Sequence, residues 1–241
     1  MSGDFRVRLH IFGDSHSAYC FDAVEDASIH WIGPVTMHRI ARDGPAFVRA
    51  ITPDLSGHDA VVLMFGEIDV RCHLIPAAEK SGRSIQAEAH NLATRYLARM
   101  AAMKADLDGT QIVLAQPPFP SDRRPNTELP ACGTLDQRIA AHRALSAALQ
   151  ELAEAAGLLF LPMPPRYADS RGALRRIYSD DGVHMMPCEA KAYVSALASL
   201  LGRPLRFRAS PLSVLLRRWN YLFGGNIRRR GLPVTKKLES W

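Results

Sequence analysis

The sequence is poor in cysteine. It has four in 241 residues, widely spaced and without a Cys-x-x-Cys pair: Cys20, Cys72, Cys132 and Cys188. This spacing argues against a zinc finger and against a compact disulfide framework. Two disulfides are arithmetically possible, but free thiols in a reducing compartment are the simpler interpretation.

Long apolar runs are also absent. No stretch approaches the roughly 20 residues needed to span a bilayer. The first residues, MSGDFRVRLHIFGD, lack the basic start and the apolar core of a secretory signal. We therefore expect a cytoplasmic protein. Peripheral contact with a membrane through the basic C-terminal segment remains an alternative.

Charge is distributed unevenly along the chain. The net charge of +6 is the sum over two segments whose net charges have opposite signs. Residues 203–241 hold ten Lys/Arg and one Glu, for +9, whereas residues 1–202 hold 20 Lys/Arg and 23 Asp/Glu, for −3. We therefore predict one domain over 1–202 and a basic extension over 203–241.

Four short apolar runs, each ended by Gly or Pro, are typical of buried parallel strands: 5–12, 59–66, 110–118 and 157–165. Between them, apolar residues recur at steps of three and four. This periodicity predicts helices over 85–107 and 134–156, and a third that Pro187 would start. Strands that alternate with helices predict an α/β fold with a parallel sheet covered on both faces. In such a fold, functional groups gather at the carboxyl ends of the strands.

Two short polar segments follow this rule. FGDSHS, at 12–17, ends the first strand, and YSDDGVHMMP, at 178–187, precedes the last helix of the domain. The three-residue spacing lets the Asp181 carboxylate accept a hydrogen bond from one nitrogen of His184, while the other nitrogen faces Ser15. Acyl transfer requires this arrangement: a serine as nucleophile, a histidine as base and a carboxylate that orients the histidine.

Together, Gly-Asp-Ser after the first strand and Asp-x-x-His before the last helix resemble the GDSL-type, or SGNH, hydrolases. The resemblance spans residues 5–202. It implies a flavodoxin-like three-layer α/β/α fold and hydrolysis of an ester or thioester through an acyl-serine intermediate, without a cofactor or metal. The family's serine, aspartate and histidine correspond to Ser15, Asp181 and His184. The family's substrates include sugar O-acetyl groups, lipid esters and thioesters, and the sequence does not choose among them.

The resemblance also implies an oxyanion hole made by a glycine amide and an asparagine side chain. Gly33 matches the glycine best, with Gly44 as a second candidate. In the asparagine's place, within GEID at 66–69, stands Ile68, whose side chain cannot donate a hydrogen bond. Loss of one such donor typically costs about 10²–10³ in kcat.

Other polar residues of the same loop are candidates for binding the substrate or the oxyanion. Arg71 is favoured because a guanidinium stabilises a developing negative charge or holds an anionic substrate, and His73 is the second candidate. Glu67 and Asp69 are expected to orient Arg71 or to bind loop amides rather than to act as acids.

Three alternatives remain open at this point. Asp14 or Ser15 could simply cap a helix over 16–25. The protein could be a catalytically silent relative that binds an acylated or anionic ligand. Asp14-x-His16 also resembles the first block of calcineurin-like metallophosphoesterases, but the sequence has no Asn-His pair and too few further ligands for a two-metal site. Five histidines without a partner pattern are expected to be structural or solvated: His16, His30, His38, His58 and His90. His142 is expected to be a hydrogen-bonded core residue.

Two further segments have functional interpretations. The proline-rich loop 117–134, with Arg123 and Arg124, is either a lid over the site or a flexible crossover. The segment 210–225, SPLSVLLRRWNYLFGG, predicts a basic amphipathic helix. This helix would dock on the domain or contact an anionic membrane or an acidic partner. Nucleic acid is a less favoured partner because no binding motif accompanies the charge.

Overall fold

The computed structural model describes residues 8–51, 55, 59–107, 109–121, 130–179 and 181–223. Several residues that the sequence singled out lie outside these ranges: His58, Arg123, Arg124 and the basic residues at 228–230 and 236–237. Among the helices of the described part, none combines the length and the apolar character that crossing a bilayer requires.

Five parallel strands form one sheet in the order β2-β1-β3-β4-β5. The strands are β1 (Leu9–Gly13), β2 (Ala27–Trp31), β3 (Ala60–Met64), β4 (Gln111–Ala115) and β5 (Leu159–Leu161). Three of them lie within apolar runs of the sequence, and β1 overlaps the first run and ends one residue beyond it. The predicted α/β class with a parallel sheet is therefore confirmed.

The helices between and after the strands are α1 (Ser15–Phe21), α2 (Met37–Asp43), α3 (Ala46–Ile51), α4 (Leu74–Ser81), α5 (Ile85–Ala105), α6 (Leu135–Ala155), α7 (Lys191–Leu200) and α8 (Pro211–Phe223). The two longest helices begin after side-chain caps, Ser84 for α5 and Thr134 for α6. Both helices lie where the sequence periodicity predicts them. Between α7 and α8 the chain runs back along the domain, where Phe207 pairs with Val24 in an isolated antiparallel bridge.

The sheet separates two apolar layers because successive side chains of a strand point to opposite faces. In β3, Val61 and Leu63 pack on one face, with α2, α5 and α6, whereas Val62 and Met64 pack on the other, with α1 and α7. All five residues of β1 and of β3 are buried. The result is the three-layer α/β/α arrangement.

The register brings the carboxyl ends of the strands together. Gly13 pairs with both Trp31 and Met64, Met64 pairs with Ala115, and Ala115 pairs with Leu161. The segments that follow these residues therefore leave the sheet at one edge, which brings the polar residues after β1 and β3 close together.

Strand β2 is an element that the sequence patterns did not predict. Its residues, ASIHW, include the polar Ser28 and His30 and form no continuous apolar run. The strand lies at the edge of the sheet, next to β1. Its His30 ring stacks on Phe12 of β1, with ring centroids 4.3 Å apart. This cross-strand packing, rather than local hydrophobicity, stabilises β2.

Candidate active site

Ser15 stands at the turn between β1 and α1. Asp14 is the N-cap of α1 and its side chain accepts a hydrogen bond from the amide of His16, so the capping role belongs to Asp14 and Ser15 is the first helical residue. Gly13 is required at the end of β1, because a Cβ there would lie 2.4 Å from the Met64 carbonyl oxygen and 2.5 Å from Ser17 Cβ. The turn is therefore held tightly against β3.

The structure brings Ser15, His184 and Asp181 together across 169 residues of sequence. Ser15 Oγ lies 2.7 Å from His184 Nε2, and His184 Nδ1 lies 2.6 Å from Asp181 Oδ2. Both distances are within hydrogen-bonding range. When its Nδ1–H donates a hydrogen bond to Asp181, His184 presents the lone pair of Nε2 to the Ser15 hydroxyl. This relation between serine, histidine and carboxylate is the one that nucleophilic acyl transfer uses.

The loop before α7 fixes the Asp181 carboxylate. Its Oδ1 accepts hydrogen bonds from the amides of Val183 and His184, both at 2.8 Å, and from the Ser179 hydroxyl at 3.2 Å. Burial alone would raise the pKa of Asp181, but the hydrogen bond and charge of His184 and these amides hold it well below its usual range. Asp181 is therefore an anion that holds His184 in one orientation.

Two residues of α1 cover the faces of the His184 ring. Tyr19 stacks on it with ring centroids 4.4 Å apart and an angle of 16°, and His16 lies 4.6 Å away at 38°. Burial lowers the pKa of His184 and the nearby charge of His16 lowers it further, while Asp181 opposes both effects. The helix that presents the serine therefore also controls the protonation of the histidine.

His16 belongs to a buried charge network that the sequence did not reveal. Its Nε2 lies 3.0 Å from Glu67 Oε2, and Glu67 also accepts two hydrogen bonds from Arg71, at 2.8 and 3.0 Å. Burial would raise the pKa of Glu67, but His16 and Arg71 lower it to about 2. Burial also opposes a charge on His16, yet Glu67 and Asp14 raise its pKa above the usual value. The raised pKa favours the cationic form of His16 beside His184.

This network defines the positions of Glu67 and Arg71. Glu67 orients Arg71 through a two-pronged ion pair in which both side chains are about nine-tenths buried. Asp14 lies at the other end, and burial raises its pKa to about 6. Behind the Ser15 turn the group therefore combines the Arg71 cation, the Glu67 carboxylate with its lowered pKa, His16 with its raised pKa, and Asp14.

Asp69 has a different role, close to the beginning of α2. Its two carboxylate oxygens accept hydrogen bonds from the amides of Met37 and His38, at 2.7 and 3.1 Å. Asp69 also opens a turn of π-helix over Asp69–His73. Such irregular turns are frequent at functional sites. Here the turn ties the loop after β3 to the segment that follows β2.

The remaining candidates for the oxyanion site differ in their surroundings. Gly33 follows β2 at the same edge of the sheet, has φ of +79°, and has open space where a side chain would stand. The amide of Gly44 donates to the Ile40 carbonyl oxygen at 2.8 Å at the end of α2, and this hydrogen bond disfavours the second candidate. Ile68 is buried, and His73 is exposed at the end of the π turn.

Other histidines take structural positions. His142 is buried, and its Nε2 lies 2.9 Å from the Pro117 carbonyl oxygen, as the sequence predicted for a core histidine. His10 and His30 pair across the sheet, with Nδ1 of one 3.1 Å from Nε2 of the other. In the part of the chain that the structure describes, no three His, Cys, Asp or Glu side chains are placed to hold a metal ion.

Several solved structures with the same architecture carry the names of hydrolases. A GDSL-like lipase from Bacteroides thetaiotaomicron matches with a TM-score of 0.55 and 18% identity over 82% of this chain and 88% of its own. A proposed acylhydrolase from Bacteroides fragilis gives 0.53 and 17% over 81% and 84%, and a proposed SGNH hydrolase from Slackia heliotrinireducens gives 0.50 and 17% over 81% and 99%.

Neither a protein-family profile nor a curated protein matches the sequence. At these identities the structural likeness establishes the fold, which is that of the SGNH/GDSL-type hydrolases. This confirms the fold that the two short motifs implied.

Proposed function

We propose that this chain is a serine-dependent hydrolase that cleaves an ester or thioester through an acyl-serine intermediate. The observation that carries the proposal is the continuous hydrogen-bonded chain from Ser15 Oγ through His184 to Asp181, with separations of 2.7 and 2.6 Å. The fold supports it, since the named neighbours that share this architecture are lipases, acylhydrolases and SGNH hydrolases.

In the acylation step, Ser15 Oγ attacks the ester carbonyl carbon while its proton moves to His184 Nε2. The carbonyl electron pair moves onto oxygen and forms a tetrahedral oxyanion. As this intermediate collapses, His184 returns the proton to the departing alkoxide, and the acyl group stays on Ser15. Throughout, the ionised Asp181 stabilises the imidazolium form of His184.

In the deacylation step, water takes the place of the leaving group. His184 removes a proton from water, the hydroxide adds to the acyl carbon, and the proton passes to Ser15 Oγ as the acid leaves. No cofactor takes part in this scheme. The acyl donors that remain candidates are an O-acetylated sugar, a lipid ester and a thioester.

The oxyanion is held in this proposal by the amides of Ser15 and Gly33, both at the edge of the sheet where β1 and β2 end. Arg71 contributes positive charge to this region and is held in place by Glu67. His73, exposed at the end of the same turn, is the remaining candidate for contact with the substrate.

A fluorophosphonate probe tests the nucleophile directly. We expect covalent labelling of the wild type and none of Ser15→Ala, with the same folded circular dichroism spectrum. Ser17→Ala is the matched control and keeps its label, because the Ser17 hydroxyl donates to the Asp14 carbonyl instead of facing His184. Unlabelled but folded wild type would contradict the proposal.

The second candidate function is that of a silent protein that binds an acylated or anionic ligand, and it is favoured by Ile68 alone. A buried isoleucine there supplies no side-chain donor to an oxyanion. Steady-state hydrolysis of p-nitrophenyl acetate separates the two candidates. Turnover that Ser15→Ala abolishes supports the enzyme, whereas a folded wild type that shows neither turnover nor labelling supports the silent protein.

A further inference from the structure

Large apolar side chains that face solvent are concentrated on one helix. Within the described ranges, every exposed large hydrophobic residue belongs to α8: Leu212, Leu215, Leu216, Trp219 and Leu222, with 54–62% of each residue accessible. We name these five residues the α8 apolar face. Contiguous apolar surface of this kind marks an interaction site more often than scattered exposed leucines do.

Helix α8 is attached to the domain by its charged side. Arg217 and Arg218 both donate to Glu189, at 2.7 to 2.9 Å, and the Glu189 side chain is only 2% exposed. Arg217 also donates to the Ile177 carbonyl, and the Arg218 guanidinium lies 5.7 Å from the centre of the Tyr178 ring. An amphipathic helix ordinarily buries its apolar stripe. Here the ion pairs occupy the inner side and hold the apolar face outward.

The chemistry of the surrounding sequence indicates what covers this face. Residues 224–241, which follow α8 directly, contain five Lys/Arg and a single Glu. Exposed leucines, a tryptophan and adjacent basic residues are the combination that lies in the interface of an anionic bilayer. We propose that the α8 apolar face is a docking surface for an anionic lipid bilayer.

Charge favours a bilayer over a second copy of the chain. Two copies joined through α8 would bring together two segments that each carry an excess of four positive charges within 18 residues, and these would repel. Anionic headgroups attract the same segments, with about fivefold tighter partitioning for each basic residue near the surface. The apolar face then adds about tenfold for each leucine that leaves water.

The docking surface lies next to the candidate active site along the chain. The contacts of α8 fall on Ile177, Tyr178 and Glu189, which flank the loop that carries Asp181 and His184. The proposal does not depend on the hydrolase chemistry, because none of the residues of the α8 apolar face takes part in it. Ser15→Ala is therefore expected to bind vesicles as tightly as the wild type.

Cosedimentation of the full chain with vesicles tests the proposal. The probe is an equimolar mixture of phosphatidylglycerol and phosphatidylcholine, with pure phosphatidylcholine as the neutral comparison. We expect binding to the anionic vesicles that weakens at high salt and is much weaker on neutral ones. Changing Leu212, Leu215 and Leu222 to serine together lowers the partition coefficient by at least about 100-fold. The same three leucines changed to methionine form the matched control and retain binding.

Several outcomes would overturn the proposal. One is the absence of wild-type binding to the anionic vesicles. Another is undiminished binding by the folded triple serine variant, which would leave charge alone as the cause. A third is a wild-type dimer in analytical ultracentrifugation that the serine substitutions convert to a monomer, which would make a second copy the occupant. All three outcomes can be read independently of Ser15 labelling.

Discussion

Replacing His16 with glutamine is expected to shift the acid limb of the pH–rate profile to higher pH. The groups that face His184 are Asp181 from its own loop, Ser15, His16 and Tyr19 from α1, and, through its charge, Glu67. Among these, only His16 places a positive charge beside the ring. The substitution removes that charge and keeps a side chain that can donate to Glu67.

The sign follows from the proposed role of His184 as a base. His184 must be neutral to accept the Ser15 proton, so kcat/KM falls as the pH drops through its pKa. The His16 charge lowers this pKa. Its removal raises the pKa, and the variant therefore loses activity at a higher pH than the wild type does.

The size of the shift is set by the separation of the two rings. At 4.6 Å and an effective dielectric constant of about 20, Coulomb's law gives a repulsion of about 3.6 kcal/mol between two unit charges. Solvent near the partly open ring and the remaining network reduce this upper bound. We therefore expect a displacement of the acid limb that the pH profile resolves.

The assay is the pH dependence of kcat/KM for p-nitrophenyl acetate, measured for the wild type and His16→Gln. Tyr19→Phe is the control, because it keeps the ring that stacks on His184 and changes no charge near neutral pH. Its acid limb should coincide with that of the wild type. An unmoved limb in a folded His16→Gln protein, or one displaced to lower pH, would refute the reasoning.

Three further substitutions test separate parts of the structure. Asp181→Asn removes the anion that orients His184 and should lower kcat by about 10³–10⁴ with little change in KM, measured by steady-state kinetics. Gly13→Ala forces a Cβ to within 2.4 Å of the Met64 carbonyl oxygen and should lower the free energy of unfolding by about 3 kcal/mol in urea titration. Ile68→Asn restores a potential oxyanion donor and should raise kcat by about tenfold or more, whereas Ile68→Leu should not. A lower kcat for a folded Ile68→Asn would mean that this side chain does not face the oxyanion.

The parts of the fold that the sequence predicted are those with strong local signals. Interior strands such as β3 are continuous apolar runs because both of their faces are covered, and α5 and α6 each repeat their apolar stripe over 21 residues. The Ser15 and His184 motifs could be joined across 169 residues because parallel strands deliver their ends to one edge.

The parts that escaped prediction depend on contacts between distant residues. Strand β2 is stabilised by its pairing with β1 and by the stacking of His30 on Phe12. His16 and Glu67 are 51 residues apart and neither lies in a pattern that names the other. For α8, the sequence showed an apolar stripe and two arginines but not which side of the helix contacts the domain. That side is determined by the ion pairs of the two arginines with Glu189, a buried carboxylate near the start of α7.

In the proposed mechanism, His16 and Ile68 both affect how the site stabilises developing charge. A cationic His16 disfavours the imidazolium that His184 would become in the tetrahedral intermediate, but it favours the oxyanion that would form at the same moment. Coulomb energy falls with distance, and the His184 ring is 4.6 Å away, in direct contact with His16. Repulsion of the imidazolium should therefore dominate, so that the plateau of the His16→Gln profile lies above that of the wild type. A lower plateau would instead mean that His16, with Arg71, supplies the positive charge that the missing asparagine donor would otherwise provide.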